Sequence, residues 1–279
     1  MLDPTEYLEA YKNTHEPSGA ASAELWVTHL VQFLGTRPLS AEELYRWRAR
    51  LVEERYAPSS VNRAIQAVRP FLKYLRIRKL HDLDTTLIGD ALVPARVASM
   101  LPVALAPAEI AKLCLTPAPR PVETFLALGL LTAARPGEIL RMKPEHYQPQ
   151  RGLMLYAYKT GRERCIPLLD NPELSMLLSG AGRGHGAYCE GFSTFSWNAM
   201  TKAALGREIN RKVLRSTASC YMASSGKLSE FAYCSRLGHT LDIANAYYRS
   251  MISGVTGDTV ADWLGAKAEI GALVKRVCS

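Results

Sequence analysis

Six side chains in the C-terminal two-thirds of the chain have types and spacings that suit one chemistry: Arg135, Lys159, Lys212, Arg215, His239 and Tyr248. Arg135 stands just before Pro136, which can open a helix, so its guanidinium is predicted beside unpaired backbone amides, a good place for an anion. Lys159 falls at the tip of a predicted hairpin, and Lys212 and Arg215 lie three residues apart on one predicted helical face. His239 follows Leu237-Gly238, a helix-ending pair, and Tyr247-Tyr248 sits on an apolar-patterned segment. Singly, each has an ordinary explanation: a surface arginine, a solvated turn lysine, a solvated cation pair, a structural histidine, a core tyrosine. Together they supply four cations, an imidazole and a phenol, with no acidic pair and no metal-ligand cluster. That set suits transesterification of a phosphodiester by a side-chain hydroxyl, with fixed positive charge holding the non-bridging oxygens while a phenolate attacks phosphorus. Metal-dependent nucleases use clustered carboxylates instead, so neither a metal nor another cofactor is expected.

The elements that must carry these residues follow from hydrophobic periodicity. Helices are predicted at 106–115 and 122–131, then two strands at 153–158 and 163–168 joined by Lys159-Thr160-Gly161-Arg162, whose glycine suits a hairpin turn. Residues 180–191 are glycine-rich and read as loop, and helices return at 195–206, 212–224, 229–236, 243–250 and 258–277. The first 80 residues read as helices in short succession. One spans 22–34 with Ser22 as N-cap, and one starts at Ser40 with Glu43 completing a capping box. A third runs from Pro58 to about Arg78, with a kink predicted at Pro70. On that helix Ile65, Val68, Leu72 and Leu75 form an apolar stripe, beside a basic stripe of Arg69, Lys73 and Arg76 with Arg63 further up. The stripe is either a solvated outer face or a helix laid along a duplex, where successive phosphates meet basic side chains.

Residues 82–105 lose periodicity and contain Gly89, Pro94 and Pro102, which reads as a linker. The expected fold class is mainly α with a small β-sheet. A helical domain at 1–84 is followed by a linker at 85–104, an α+β catalytic domain at 105–257 and a C-terminal helix at 258–279. Val260, Trp263, Leu264, Ile270, Leu273 and Val274 give that last helix an apolar face, to pack either on its own domain or on a neighbouring protomer.

Charge agrees with a polyanionic partner. The 279 residues carry 34 Lys and Arg against 26 Asp and Glu, and all but one unit of the net +8 falls after residue 100. Phosphates reward surfaces that displace their counterions. Composition excludes wholesale disorder and fibrous architecture. No apolar run approaches a membrane span and no leader opens the chain, so a cytoplasmic, nucleoid-associated protein is expected. The six cysteines form no CxxC pair, as in a reducing compartment with free thiols.

The sequence resembles the tyrosine recombinases, the phage integrase family, over nearly its whole length. The resemblance is carried by Leu131-Thr132-Ala133-Ala134-Arg135-Pro136-Gly137-Glu138-Ile139-Leu140, by Tyr158-Lys159-Thr160-Gly161-Arg162 with Ile166-Pro167-Leu168, by Leu214-Arg215-Ser216-Thr217-Ala218-Ser219, and by Leu237-Gly238-His239 with Tyr248 nine residues on. It implies that Arg135 and Arg215 bracket the scissile phosphate, that Lys159 protonates the departing 5′-oxygen, and that His239 donates to a phosphate oxygen. Tyr248 is then the nucleophile, with Tyr247 its chemical rival, and Glu138 braces the site. Lys212 stands where most members have histidine. With an ordinary lysine pKa it is a poorer base at neutral pH, which leaves the acid/base assignment open.

The resemblance further implies a site-specific recombinase working through a 3′-phosphotyrosine, needing neither ATP nor metal. Its N-terminal helical domain and catalytic domain would close as a clamp on double-stranded DNA, with Arg63, Arg69, Lys73, Arg76 and Arg162 as DNA contacts. Few residues precede the first clamp helix, so an arm-binding domain is not expected, which favours simple core sites. A head-to-tail tetramer on two DNA sites is the expected assembly. A type IB topoisomerase-like nicking-closing enzyme and a catalytically silent DNA-binding protein of the same fold are the alternatives.

Overall fold

The computed structural model describes residues 2–81, 84–97, 102–157, 162–181, 186–248 and 252–279, with the backbone alone described at 18, 157, 162, 181, 246 and 248. Its contacts divide the chain into two units, Met1–Ser99 and Met100–Ser279.

The first unit is built from α1 (Thr5–Thr14), α2 (Pro17–Leu34), α3 (Ala41–Glu53), α4 (Pro58–Ile77) and α5 (Thr85–Ala91). α2 begins at Pro17, one turn and more before the predicted cap at Ser22, because proline at the first helical position has its φ already set. Ser22 instead accepts a hydrogen bond from Arg63 Nε at 3.2 Å. Ser40 does cap α3, accepting from the Glu43 amide, but the Glu43 side chain turns to Arg37 and Arg46 rather than closing a capping box. α4 continues through Pro70, which lies on its exposed side, and buries Val61, Ile65, Val68, Phe71, Leu72 and Leu75 against α2 and α3.

The stretch expected to be a linker is partly structured. Asp84 Oδ1 caps α5 by accepting from the Thr86 amide at 2.8 Å, and Ile88, Ala91 and Leu92 join the first unit's core. Beyond it, Asn62 clamps the backbone of Ala95 with two hydrogen bonds of 2.6 and 2.9 Å.

The second unit comprises α6 (Pro107–Leu115), α7 (Arg120–Thr132), α8 (Pro136–Ile139), a three-stranded antiparallel sheet of β1 (Tyr147–Gln148), β2 (Gly152–Ala157) and β3 (Arg162–Ile166), then α9 (Pro172–Ala181), α10 (Thr194–Leu205), α11 (Lys212–Ser224), α12 (Glu230–Leu237), α13 (Leu241–Tyr248), α14 (Val260–Trp263) and α15 (Lys267–Cys278). α7 is the central helix, buried all round from Val122 to Thr132. α11 packs across it at Gly129, where a Cβ would stand 2.6 Å from Leu214 Cδ1, so only glycine lets the two helices meet this closely. The predicted hairpin is β2 and β3, in the register Leu155↔Arg164 and Leu153↔Ile166.

The single terminal helix expected from 258 is two helices, broken at Gly265 with φ +65°. Its apolar face is covered within its own unit: Ile270, Leu273, Val274 and Val277 are fully buried, and α15 packs on α6, α7 and α9. Arg276 fastens it by donating to Glu123 Oε1 at 2.8 Å and to the Cys114 carbonyl at 2.9 Å. Of the two arrangements expected for this face, the single chain packs it on its own unit. Among the described residues no helix is long and apolar enough to cross a membrane.

Candidate active site

The site is assembled by the turn after α7, strand β3, the start of α11 and the turn between α12 and α13. α7 ends at Ala133, which adopts a left-handed conformation (φ 51°) unusual for a residue with a Cβ. Thr132 Oγ1 supports the turn by donating to the Leu128 carbonyl and accepting from the Ala134 amide. The turn brings the next residue, Arg135, to the start of α8 and aims the Ala133 carbonyl at α11.

Arg215, on α11, is only 8% exposed. Its Nη1 donates to the Ala133 carbonyl at 2.6 Å, and its Nη2 to the Leu237 carbonyl at 2.7 Å and to His239 Nε2 at 2.6 Å. Three of the five guanidinium N–H bonds thus fix its plane, and among the described residues nothing takes the other two. Burial, then the charges of Arg135 and Arg164, lower its pKa to about 10, which leaves it charged at neutral pH.

Because a guanidinium can only donate, His239 Nε2 must accept, and the imidazole proton sits on Nδ1. Burial first, then the cations Arg215, Arg135 and Arg164, press the His239 pKa down to about 3, so the ring is neutral under working conditions. Nδ1 is buried and has no hydrogen-bond partner among the described residues. An unpaired N–H donor in a cationic pocket is a group waiting for an acceptor. The Tyr247 ring stacks on the imidazole, 5.0 Å between centroids and 15° from parallel, and packs on the second unit's core. Gly238 supplies the turn that presents His239, closing α12 with φ 61°.

Glu138 lies under this layer with its side chain 5% exposed. It accepts from the Arg135 amide at 2.7 Å and from Arg135 Nη1 at 2.9 Å. Arg164 grips the same carboxylate as a fork, Nη1 to Oε1 at 3.0 Å and Nη2 to Oε2 at 2.6 Å. Burial would raise the Glu138 pKa, but the hydrogen bonds and charge of Arg164, followed by those of Arg135, overcome it and hold the carboxyl at about 2. The backbone-amide anion site predicted before α8 does not form, since this carboxylate takes the Arg135 amide and α8 is a single turn.

The structure thus brings together Arg135, Glu138, Arg215 and His239. Lys212 is exposed in the first turn of α11, its amide donating to Asn210 Oδ1. Tyr248 is the last residue of α13, and its side chain lies outside the described residues, as does that of Arg162; Lys159 lies outside them altogether. In the first unit Arg63, Arg69, Lys73 and Arg76 are all exposed. Arg69 donates to the Leu92 carbonyl, and with Lys73 and Arg76 it edges a cavity of about 630 Å³ floored by Ile77 and Ile88. Sequence reasoning missed Arg164. Its signal was phase: in a strand it points inward with Ile166, opposite Glu163 and Cys165, and an inward arginine needs a partner.

A neutral imidazole donor, the Arg215 guanidinium beside it and an Arg135 held by Glu138 present N–H donors suited to an anion. No family model matches the chain. Tyrosine recombinase XerD of Vibrio cholerae serotype O1 (strain ATCC 39315 / El Tor Inaba N16961) is 28% identical over 138 residues, a match spanning 48% of this chain and 45% of the relative's length. Among solved structures, a lambda integrase dimer bound to a COC′ core site shares the fold at a TM-score of 0.68 and 15% identity, over 91% of this chain and 96% of that one. A lambda integrase tetramer bound to a Holliday junction matches at a TM-score of 0.66 and 14% identity, over 91% of this chain and 78% of that one. The chain thus shares the fold of lambda integrase and, over about half its length, sequence similarity with a tyrosine recombinase about twice as long as the matched stretch.

Proposed function

We propose that the protein is a site-specific DNA recombinase that cuts and rejoins double-stranded DNA through a 3′-phosphotyrosine. The observation that carries this reading is the fixed Arg215 guanidinium, held by two carbonyls and His239 with two donors left over, beside the His239 Nδ1–H. Arg135 and Arg215 hold the non-bridging oxygens, where preorganised charge counts most as it builds up on phosphorus. His239 adds its Nδ1–H to one of them. The Tyr248 oxygen attacks phosphorus, the bond to the 5′-oxygen breaks, Lys159 protonates that oxygen, and the phenol proton passes to solvent, directly or through a Lys212 that gives up one of its own protons as it takes it. A 5′-hydroxyl from the same or a partner strand reverses the step, so the ester is conserved and no nucleotide energy is needed.

Exposed Arg63, Lys73 and Arg76 with Arg69 and Arg162 make the backbone contacts that hold the duplex. The likeness to a lambda integrase tetramer bound to a Holliday junction supports four protomers on two DNA sites. Work on chromosomal or mobile DNA puts the protein in the cytoplasm, at the nucleoid.

The test is a randomised library of nicked duplexes, from which protein-linked strands are recovered and sequenced. The sequence recovered defines the substrate. Wild type forms the adduct and Tyr248→Phe does not, with DNA binding retained. An adduct that survives Tyr248→Phe and is lost in Tyr247→Phe reassigns the nucleophile. No adduct at all leaves a silent DNA-binding protein, and an adduct without strand exchange between two labelled duplexes leaves a nicking-closing enzyme.

A further inference from the structure

We infer that Arg164 is a positioning residue for cleavage, which holds Glu138 so that Arg135 faces the phosphate and which sets the height of the His239 turn. The inference rests on the function proposed above. Arg164 cannot itself touch DNA in this arrangement, since its side chain is 5% exposed and both Nη atoms are bound to Glu138. Arg135 is 40% exposed and gives Glu138 only one guanidinium N–H. One carboxylate therefore serves an inner and an outer arginine, and its four acceptor positions are filled. Were Arg164 absent, Glu138 would be a buried anion with Arg135 as its one strong partner, and the outer guanidinium would be drawn inward, away from substrate.

Arg164 also touches the other half of the site. A Cβ on Gly238 would lie 3.4 Å from Arg164 Cδ and 3.6 Å from its Nη1, so the turn leading to His239 passes close to this side chain. His239 in turn holds Arg215. Arg164 thus grips the Glu138–Arg135 pair and lies beside the Gly238–His239 turn. Stability alone is a weak reason for such a pair, because a buried ion pair can generally be exchanged for well-packed apolar residues without loss.

The experiment uses the full chain, the substrate recovered from the nicked library, single-turnover adduct formation, DNA binding and unfolding. Arg164→Lys keeps the charge and loses the fork. Its cleavage rate is expected to fall by roughly 100-fold, the scale of a misplacement of about 1 Å, while DNA affinity stays within about threefold. If the effect runs through Arg135, the double variant Arg135→Ala/Arg164→Lys cleaves about as slowly as Arg135→Ala alone. Should Arg164→Lys fold poorly, Glu138→Leu/Arg164→Met removes both charges from the buried pair and is expected to fold as well as wild type yet cleave slowly. Wild-type cleavage by Arg164→Lys or by the apolar pair overturns the inference and leaves the proposed function standing, whereas losses that add in the double variant assign the effect to the His239 turn rather than to Arg135. If wild type itself forms no adduct, the proposed function fails and this inference with it.

Discussion

Glu138→Gln tests the electrostatics of the site without DNA. The carboxyl's fall from 4.5 to about 2 corresponds, at about 1.4 kcal/mol per tenfold, to roughly 3 kcal/mol of stability at neutral pH. A side chain only 5% exposed leaves little solvent to screen that value. The amide of glutamine would also turn a donor toward Arg135 or Arg164, which places the full cost in the range of about 3–5 kcal/mol for breaking a buried pair. A carboxyl whose folded pKa is depressed contributes stability that is complete above its unfolded value and is lost as pH falls toward the folded one. The gap between wild type and variant should therefore be about 3 kcal/mol or more at pH 7 and shrink by roughly half near pH 3.

Urea unfolding followed by tryptophan fluorescence measures it, fitted with one transition per unit. Trp197 and Trp263 report on the second unit, while Trp26 and Trp47 in the first serve as an internal control whose transition stays put. A gap below about 1 kcal/mol at pH 7, or one that does not change with pH, refutes the assignment of Glu138 as an ionised anchor between two arginines.

His239 should show no titration above pH 5 in the DNA-free protein, with nitrogen chemical shifts of a neutral ring protonated at Nδ1; a midpoint near 6.5 would contradict the packing described. Its depressed pKa lowers stability as pH falls through 6.5 toward about 3, because the unfolded chain takes up a proton that the folded one refuses. Ala133→Gly should stabilise the second unit by about 1 kcal/mol by relieving a left-handed alanine, read by urea unfolding. Gly129→Ala should destabilise by about 1–3 kcal/mol and slow cleavage, because Leu214 and with it Arg215 must move. Truncation before Lys267 removes Ile270, Leu273, Val274 and Val277, each worth roughly 1.5–3 kcal/mol, and should unfold the second unit by circular dichroism. A truncated chain that stays folded as a monomer would show that α15 is dispensable in cis.

Local signals carried most of the elements and only part of the site. The α7–Arg135 junction, the β2–β3 hairpin, α11 and the glycine cap of α12 were legible because periodicity, turn glycines and caps act within a few residues. α5 was not, since it buries Ile88 and Ala91 but not the rest of its seven residues, in a stretch whose proline and glycine read as linker. The break at Gly265 hid inside a continuous apolar pattern. Arg164 escaped because its partner Glu138 is 26 residues away, and pairing across that distance is set by packing. For the same reason nothing in the sequence foretold that Glu138 would take the Arg135 amide.

Four departures from ordinary packing meet at one place in the second unit. A left-handed alanine, an imidazole N–H with no acceptor, an arginine lowered to about 10 and a second arginine with a buried, unpartnered Nε all lie around Arg215. Each is costly, and such costs persist where surrounding structure holds them for a purpose. Affinity for a phosphate backbone does not require them, because any exposed cation can supply it at no cost in burial. Orientation does require them: a guanidinium locked by two carbonyls and a histidine keeps its remaining donors in one direction, as a transition state demands and mere binding does not. That distinction weighs against a silent DNA-binding protein even with lysine at position 212.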